Sequence, residues 1–244
     1  MTTPNINDIL LIQLSGTPLY TAEIARPLCD LGYDVNVIVA QRNYQEDDFD
    51  DRVKVHEVGI SSNYTTLLNS INPITYYRLF KKIRIIDPGI IHITQGFFWL
   101  NFVLPFISDY PLVYTDHEPE ESNDVTFYDR TPIYSYSKRH FRAAADRILV
   151  HGEYLRDVLV SRGVSEAKIN VVKHGVYKHY REVDAGNEFD TSSKKNILFF
   201  GLVAEYKGID VLAKAIPKIQ SRYPEVSVTF AGKGNIERYL SNDL

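Results

Sequence analysis

Residues 195–234, KNILFFGLVAEYKGIDVLAKAIPKIQSRYPEVSVTFAGKG, decide the fold. Asn196 to Phe200 are nearly all apolar, as in a parallel strand covered on both faces. Gly201 ends that strand and Gly208 precedes a helix, in which Val211, Leu212, Ala215, Ile216 and Ile219 recur at helical spacing. Val226 to Ala231 read as the next strand, and Gly232-Lys233-Gly234 turn out of it. The three elements make a βαβ unit whose two glycine loops leave the same carboxyl edge of a parallel sheet. That edge is where open α/β sheets bind ligands. Ten residues follow Gly234, so the unit reads as the beginning of a domain.

Upstream, the same alternation of strand and helix recurs. Strands are expected at Asp8–Leu14, Tyr33–Ala40, Val53–Val58, Ile90–Thr94, Pro111–Asp116, Arg147–Val150 and Lys168–Val172. Helices are expected at Tyr20–Leu31, with Ile24, Leu28 and Leu31 on one face, at Ile74–Ile86 behind Pro73, at Phe97–Ile107, at Pro132–Ala145 and at Glu153–Arg162. Gly32 marks a helix end, and Asp87-Pro88-Gly89 breaks another. Such alternation predicts a doubly wound parallel sheet. The polar stretch 177–195 reads as a linker. The fold class is therefore α/β: a Rossmann-like parallel-sheet domain over 1–176, then an incomplete second Rossmann-like domain over 196–244.

Composition narrows the function classes. The 244 residues carry 31 acidic and 27 basic side chains, a net charge of −4, which does not favour nucleic acid. A single cysteine, Cys29, excludes an internal disulfide and fits a reducing cytosol. The start, MTTPNINDILLIQL, lacks a basic segment ahead of its short apolar run, so a cytoplasmic location is expected. Lys81, Lys82 and Arg84 give the second helix a basic face; water is the plainer neighbour and peripheral contact with an anionic membrane the alternative. The run EDDFDDR at 46–52 lacks a calcium-loop spacing and reads as a solvated loop. Asn63-Tyr64-Thr65 matches the glycosylation triplet, a common chance match.

Candidate site residues follow strand ends. Gly16 lies in the sharp loop after the first strand, and His117 and Glu118 follow the fifth. His151 and His174 follow the next two, while His92 reads as packing inside a strand. The histidines lack zinc spacing, so no metal is expected. In the second domain Lys207 stands at a helix start, where a lone cation is mildly unfavourable unless it meets an anion.

Six phrases in order resemble the family-4 glycosyltransferases of the GT-B fold: SGTPLYTAEIARPLCDLGYDVNVIV (15–39), IRIIDPGIIHIT (83–94), PLVYTDHEPEE (111–121), ADRILVHGEYLRDVLVSRGVSEAKINVVKHGVY (145–177), FFGLVAEYKGIDVLAKAI (199–216) and YPEVSVTFAGKG (223–234). The resemblance implies two Rossmann-like domains facing a cleft. It also implies transfer of a sugar, with retention, from a nucleoside diphosphate sugar to a glycan, lipid-linked or other acceptor. By resemblance, His117 touches the transferred sugar and Glu118 fills the family's acidic position beside it. Gly16, Gly201, Lys207 and Gly208 lie against the donor phosphates, and His151 and His174 line the cleft. No cofactor beyond the donor substrate is implied. Leu202 stands where the family usually has an arginine, and the family's paired glutamates lie further downstream than Leu244. A degenerate or split glycosyltransferase, acting as a binding subunit with a partner chain supplying the rest of the donor half, is therefore the alternative expectation.

Overall fold

The computed structural model describes residues 7–40, 44–59, 72–117, 132–177, 195–204 and 207–240, without the side chains of Glu46, Trp99 and residues 132–134. The glycosylation triplet and Glu118 lie outside the described residues. The chain divides into two compact units: described residues up to 177 belong to the first and those from 195 to the second.

The first unit contains β1 (Asp8–Gln13), α1 (Leu19–Asp30), β2 (Asp34–Ala40), β3 (Lys54–Val58), α2 (Pro73–Ile86), β4 (Ile90–Gln95), β5 (Leu112–Thr115), α3 (Pro132–Ala144), β6 (Arg147–Val150), α4 (Glu153–Ser161) and β7 (Ile169–Val171). The strands form one parallel sheet in the order β3-β2-β1-β4-β5-β6-β7. The chain builds outward from β1 to β3, then returns to lay β4 on the other side of β1. Side chains alternate between the two faces, and both faces are apolar. Leu10, Ile12, Ile91, Ile93 and Ile148 form one core with Leu79 and Ile83 of α2, Phe141 of α3 and Leu159 of α4. Ile9, Leu11, Val35, Val37 and Val39 form the other with Ala25 of α1, Phe49 and Val53.

Local chemistry fixes the helix ends. At the end of α1 the Tyr33 amide bonds Leu28 O at 3.1 Å and the Gly32 amide bonds Cys29 O at 3.0 Å. Gly32 takes φ +88°, the left-handed conformation this closure requires. The Asn72 side chain caps α2 by accepting from the Ile74 amide at 3.0 Å.

Three expectations need correction here. Leu31 is 74% exposed, because it is the residue after the last turn of α1; Thr21 and Ala25 are buried, and Ile24 and Leu28 pack, partly buried, against the same core. Residues 97–107 form two 3-10 turns, Phe98–Phe102 and Leu104–Phe106, not one apolar helix. Pro105 sits in the first turn of the second of these; since α1 and α5 accommodate Pro27 and Pro217, proline alone does not account for the difference. The acidic run is not merely solvated. Residues Glu46–Asp48 make a 3-10 turn, Arg52 Nε pairs with Asp50 at 2.7 Å, and Arg52 Nη2 reaches Asp30 at 2.8 Å.

The second unit contains β8 (Asn196–Phe200), α5 (Ile209–Arg222) and β9 (Ser227–Ala231), with β8 and β9 parallel. Ile209, Ala213 and Ile216 are the buried stripe of α5, and Val211 points outward, 66% exposed. β8 departs from the expected strand covered on both faces: Leu198 is 59% and Phe200 83% exposed. A single crossover helix covers one face of a two-stranded sheet, and no described element covers the other.

Candidate active site

The switch from β1 to β4 places two loops side by side at the carboxyl edge of the first sheet. The Leu14 amide bonds Gln95 O at 2.9 Å, and Ser15 Oγ donates to Gly96 O at 2.9 Å. Between them Gly16 holds φ +67°, and a β-carbon there would sit 2.7 Å from the Gln95 side chain. The buried Gln13 amide donates to Ser15 O and Gly16 O at 2.5 and 3.1 Å and so shapes the loop from below. No side chain caps the start of α1, which follows immediately, and its first turn holds no acidic residue. A glycine turn opening onto an uncapped helix start suits an anion.

A β-bulge sets the next layer. Ile12 pairs with Ile93, but Gln13 pairs with Gln95, so Thr94 is an extra residue without a partner on β1. Its groups serve other purposes. Thr94 Oγ1 donates to Ile12 O at 3.1 Å and lies 2.7 Å from Thr21 Oγ1 of α1. With the Thr94 proton committed to a carbonyl, Thr21 is the donor of that pair. Thr94 O accepts from His117 Nε2 at 2.9 Å.

His117, His151 and His174 follow β5, β6 and β7, and the sheet brings them together. Ring centroids are 5.1 Å apart for His117 and His151, and 4.8 Å for His151 and His174. Tyr20, in the first turn of α1, sits among them, 4.5, 5.3 and 5.5 Å from His117, His151 and His174. His151 Nδ1 donates to Val172 O at 3.0 Å, while its Nε2 lies 3.2 Å from His117 Nδ1. Each ring thus gives a proton to a carbonyl, and two bare nitrogens face each other. In neutral rings one of these three hydrogen bonds must fail. One added proton, shared between Nδ1 of His117 and Nε2 of His151, satisfies all three.

Burial pushes the His117 imidazole below its ordinary value; the His151 and His174 rings add to this, and the Thr94 carbonyl opposes it. Burial also lowers His151, with the Val172 carbonyl opposing. Beneath them His92 is buried in β4 and bonds Thr115 Oγ1 at 2.8 Å. Burial pushes its imidazole down to about 4, so it is neutral at pH 7. Thr115 Oγ1 also meets Tyr20 OH at 3.4 Å. A cavity of about 360 Å³ opens beside this group, with Tyr20, His92, His151 and His174 among its lining residues. Among the described residues no group of three histidine, cysteine or acidic side chains is arranged to hold a metal ion.

In the second unit Gly201, Lys207 and Gly208 share the loop between β8 and α5. Gly208 is the left-handed N-cap of α5, φ +70°, with no side-chain cap. The neighbouring glycine loop lies against it: the Gly201 amide bonds Ala231 O and the Val203 amide bonds Lys233 O, both at 2.9 Å. A β-carbon on Gly232 would fall 1.7 Å from Gly201 O.

The candidates therefore form two sets, Gly16 with the three histidines in one unit and Gly201, Lys207 and Gly208 in the other. Tyr20, Thr94 and Thr115 complete the first set and were not singled out from sequence. The available signal for Tyr20 was its place one turn into the helix behind the glycine loop.

A parallel sheet with a glycine loop at its switch point and side chains gathered along its carboxyl edge, followed by a second βαβ unit, defines a two-unit α/β protein of the GT-B kind. The model of Glycosyltransferase Family 4 matches residues 14–178, and the chain belongs to that family. No curated protein sequence matches the chain. Solved structures share its fold at low identity. A protein from Listeria monocytogenes solved as a UDP-N-acetylglucosamine 2-epimerase is 12% identical, with a TM-score of 0.64 over 95% of this chain and 65% of that one. S. aureus MnaA, solved with UDP, is 12% identical, with a TM-score of 0.55 over 95% and 65%. The catalytic domain of starch synthase IV from Arabidopsis thaliana, bound to ADP and acarbose, is 10% identical, with a TM-score of 0.61 over 92% and 68%. The chain thus spans about two thirds of the length of these proteins.

Proposed function

We propose that the chain serves a retaining glycosyltransferase, which moves a sugar from a nucleoside diphosphate sugar to a glycan, lipid-linked or other acceptor. The observation that carries this reading is the carboxyl edge of the first sheet, where the Gly16 loop, the uncapped start of α1 and His117 meet around the Thr94 bulge. Departure of a nucleoside diphosphate develops negative charge on phosphate oxygens. Within the first unit, backbone amides at Gly16 and the start of α1 have the sign to stabilise it, and within the second unit Lys207 and the amides at Gly208 have that sign as well. His117 reaches a sugar hydroxyl by giving up one of its two bonds; in neutral rings the three hydrogen bonds around His117 and His151 cannot all be made, so that exchange is inexpensive. Glu118 follows it in sequence and is proposed as its acidic partner. His174 and Tyr177, which meet at 3.3 Å, line the rim. The reading needs no metal and no cofactor.

Family membership favours transfer over epimerisation. Leu202, in the place of the family's usual arginine, favours a second reading in which the chain binds a donor, acceptor or partner chain without catalysis alone. A lipid-linked acceptor would bring α2 to a membrane surface, where Ile74, Tyr77 and Ile85 are exposed beside Lys81 and Lys82, although Arg84 is already held by Asp109 at 2.6 Å. No helix among the described residues is long and apolar enough to cross a membrane.

One experiment separates the readings. Titrate the purified chain with UDP-, GDP- and ADP-sugars by calorimetry, then assay transfer to lipid and glycan acceptors with NMR of the anomeric product. Binding weakened by Lys207→Ala, with transfer of retained configuration abolished by His117→Ala, supports the enzyme. Binding without transfer supports the binding subunit. No binding of any nucleotide sugar rejects both donor-based readings.

A further inference from the structure

The chain leaves β5 through two residues that point to opposite faces of the sheet. Leu112 and Tyr114 enter the core that α3 closes, where the Tyr114 and Phe141 rings lie 5.3 Å apart, and Asp116 continues that face. Thr115 meets Tyr20 of α1 on the other face, and His117 emerges on that side among the histidines. Tyr114 is the last residue of β5 in register with β4, so Asp116 lies beyond that ladder. Toward β6 its amide makes one further bond, to Leu149 O at 2.9 Å.

The Asp116 side chain adds a directed contact. It is fully buried, and Oδ2 accepts from Arg142 Nε, in the last turn of α3, at 2.7 Å. Arg142 is buried as well, 8% exposed. Stability alone does not account for this pair. A buried ion pair offsets its lost hydration only when the remaining lone pairs are satisfied, and apolar side chains of similar volume often serve a fold as well. Asp116 Oδ1 is buried and has no hydrogen-bond partner among the described residues. What the pair supplies is direction, whereas apolar burial is non-directional.

The same helix also holds the partner of His117. His117 Nε2 donates to Thr94 O, and just beyond Thr94 the chain passes directly against α3: a β-carbon on Gly96 would fall 2.8 Å from the Phe141 ring. One turn earlier in α3, Ser137 Oγ accepts from Asn101 Nδ2 at 2.8 Å and ties the helix to the 3-10 turn after β4. Phe141 and Arg142 are adjacent in sequence. One bears on the strand end that carries the carbonyl, the next on the strand end that carries the imidazole.

We infer that Asp116 and Arg142 are positioning residues for His117: through α3 they hold the end of β5 at the distance from the Thr94 bulge that the hydrogen bond of His117 to Thr94 O requires. The consequence for sugar transfer rests on the proposed role of His117, but the positioning itself does not.

The test follows the ring protons of the whole chain at neutral pH by nitrogen-15 NMR and measures their exchange with water. Asp116→Asn keeps the shape of the side chain and an acceptor for Arg142, but replaces a charge-assisted hydrogen bond by a neutral one. It is expected to speed exchange at His117 Nε2 by about fivefold or more. Asp116→Leu with Arg142→Met replaces the pair by apolar side chains. Its urea midpoint is expected at or above that of the unmutated chain, with exchange at His117 faster still. His56, whose Nε2 bonds Asn36 Oδ1 at 2.9 Å between β2 and β3, is the reference and should exchange at an unchanged rate. A role in stability alone would accelerate both rings together, in step with the unfolding midpoint. Unchanged exchange at His117 in the Asp116→Asn protein, or equal acceleration at His117 and His56, overturns the inference whether or not the apolar pair folds. No donor or acceptor takes part, so failure here leaves sugar transfer standing, and a chain inactive in transfer leaves the positioning standing.

Discussion

Acid titration of stability measures how dry the floor of the histidine group is. His92 is buried in β4, and its imidazole is pushed down to about 4 by burial first and by the His117 charge second. The ordinary value, 6.5, holds in the unfolded chain. Between these two values the unfolded chain binds a proton that the folded chain refuses. Stability from the neutral ring is therefore complete above 6.5 and is lost as pH falls from 6.5 toward 4. The gap corresponds to about 3 kcal/mol. His92→Gln keeps a side-chain donor for Thr115 Oγ1 but cannot take up a proton. Urea unfolding of both proteins at pH 7, 6, 5 and 4 is expected to show the unmutated chain losing about 3 kcal/mol more than the variant. His56, His117 and His151 are also pushed down by burial and lose stability in the same direction, but they are present in both proteins and cancel in the difference. Parallel pH curves for the two proteins would refute the reasoning.

Asp116→Ala leaves Arg142 buried without its carboxylate, and thermal or urea unfolding should record a loss of about 3–5 kcal/mol; a loss below about 1 kcal/mol would show that the pair is dispensable. Gly232→Ala forces a β-carbon onto the Gly201 carbonyl, so hydrogen exchange should reveal loosening of β8 and β9 with β1 to β7 unaffected. Nitrogen-15 NMR of the imidazoles should show His117 Nδ1 and His151 Nε2 moving together with pH through one shared protonation. His151→Phe should leave His117 titrating alone, and independent titration in the unmutated chain would contradict the shared proton.

Much of this architecture is written locally. The short apolar runs of β1 and β2, the glycine after α1 and the proline opening α2 each specify their element within a few residues, so the alternation of strand and helix could be read directly. The strand-end histidines were legible for the same reason, because a parallel sheet delivers every strand end to one edge. Features that need a partner distant in sequence were not legible. Phe200 is apolar whether or not anything covers it. Tyr20 becomes the centre of the histidine group only when β5, β6 and β7 have been laid beside β4.

The bulge at Thr94 has a consequence for how this family member can be altered. The acceptor that orients His117 is a main-chain carbonyl, released from the ladder because one strand is a residue longer than its neighbour. Exchanging the Thr94 side chain leaves that carbonyl where it is, so a scan of substitutions passes over it. Deleting one residue between Ile93 and Gln95 would instead restore an even ladder and turn the carbonyl away. The orientation of His117 is thus encoded in chain length, and lineages could gain or lose it by a single codon insertion without changing any side chain in the site.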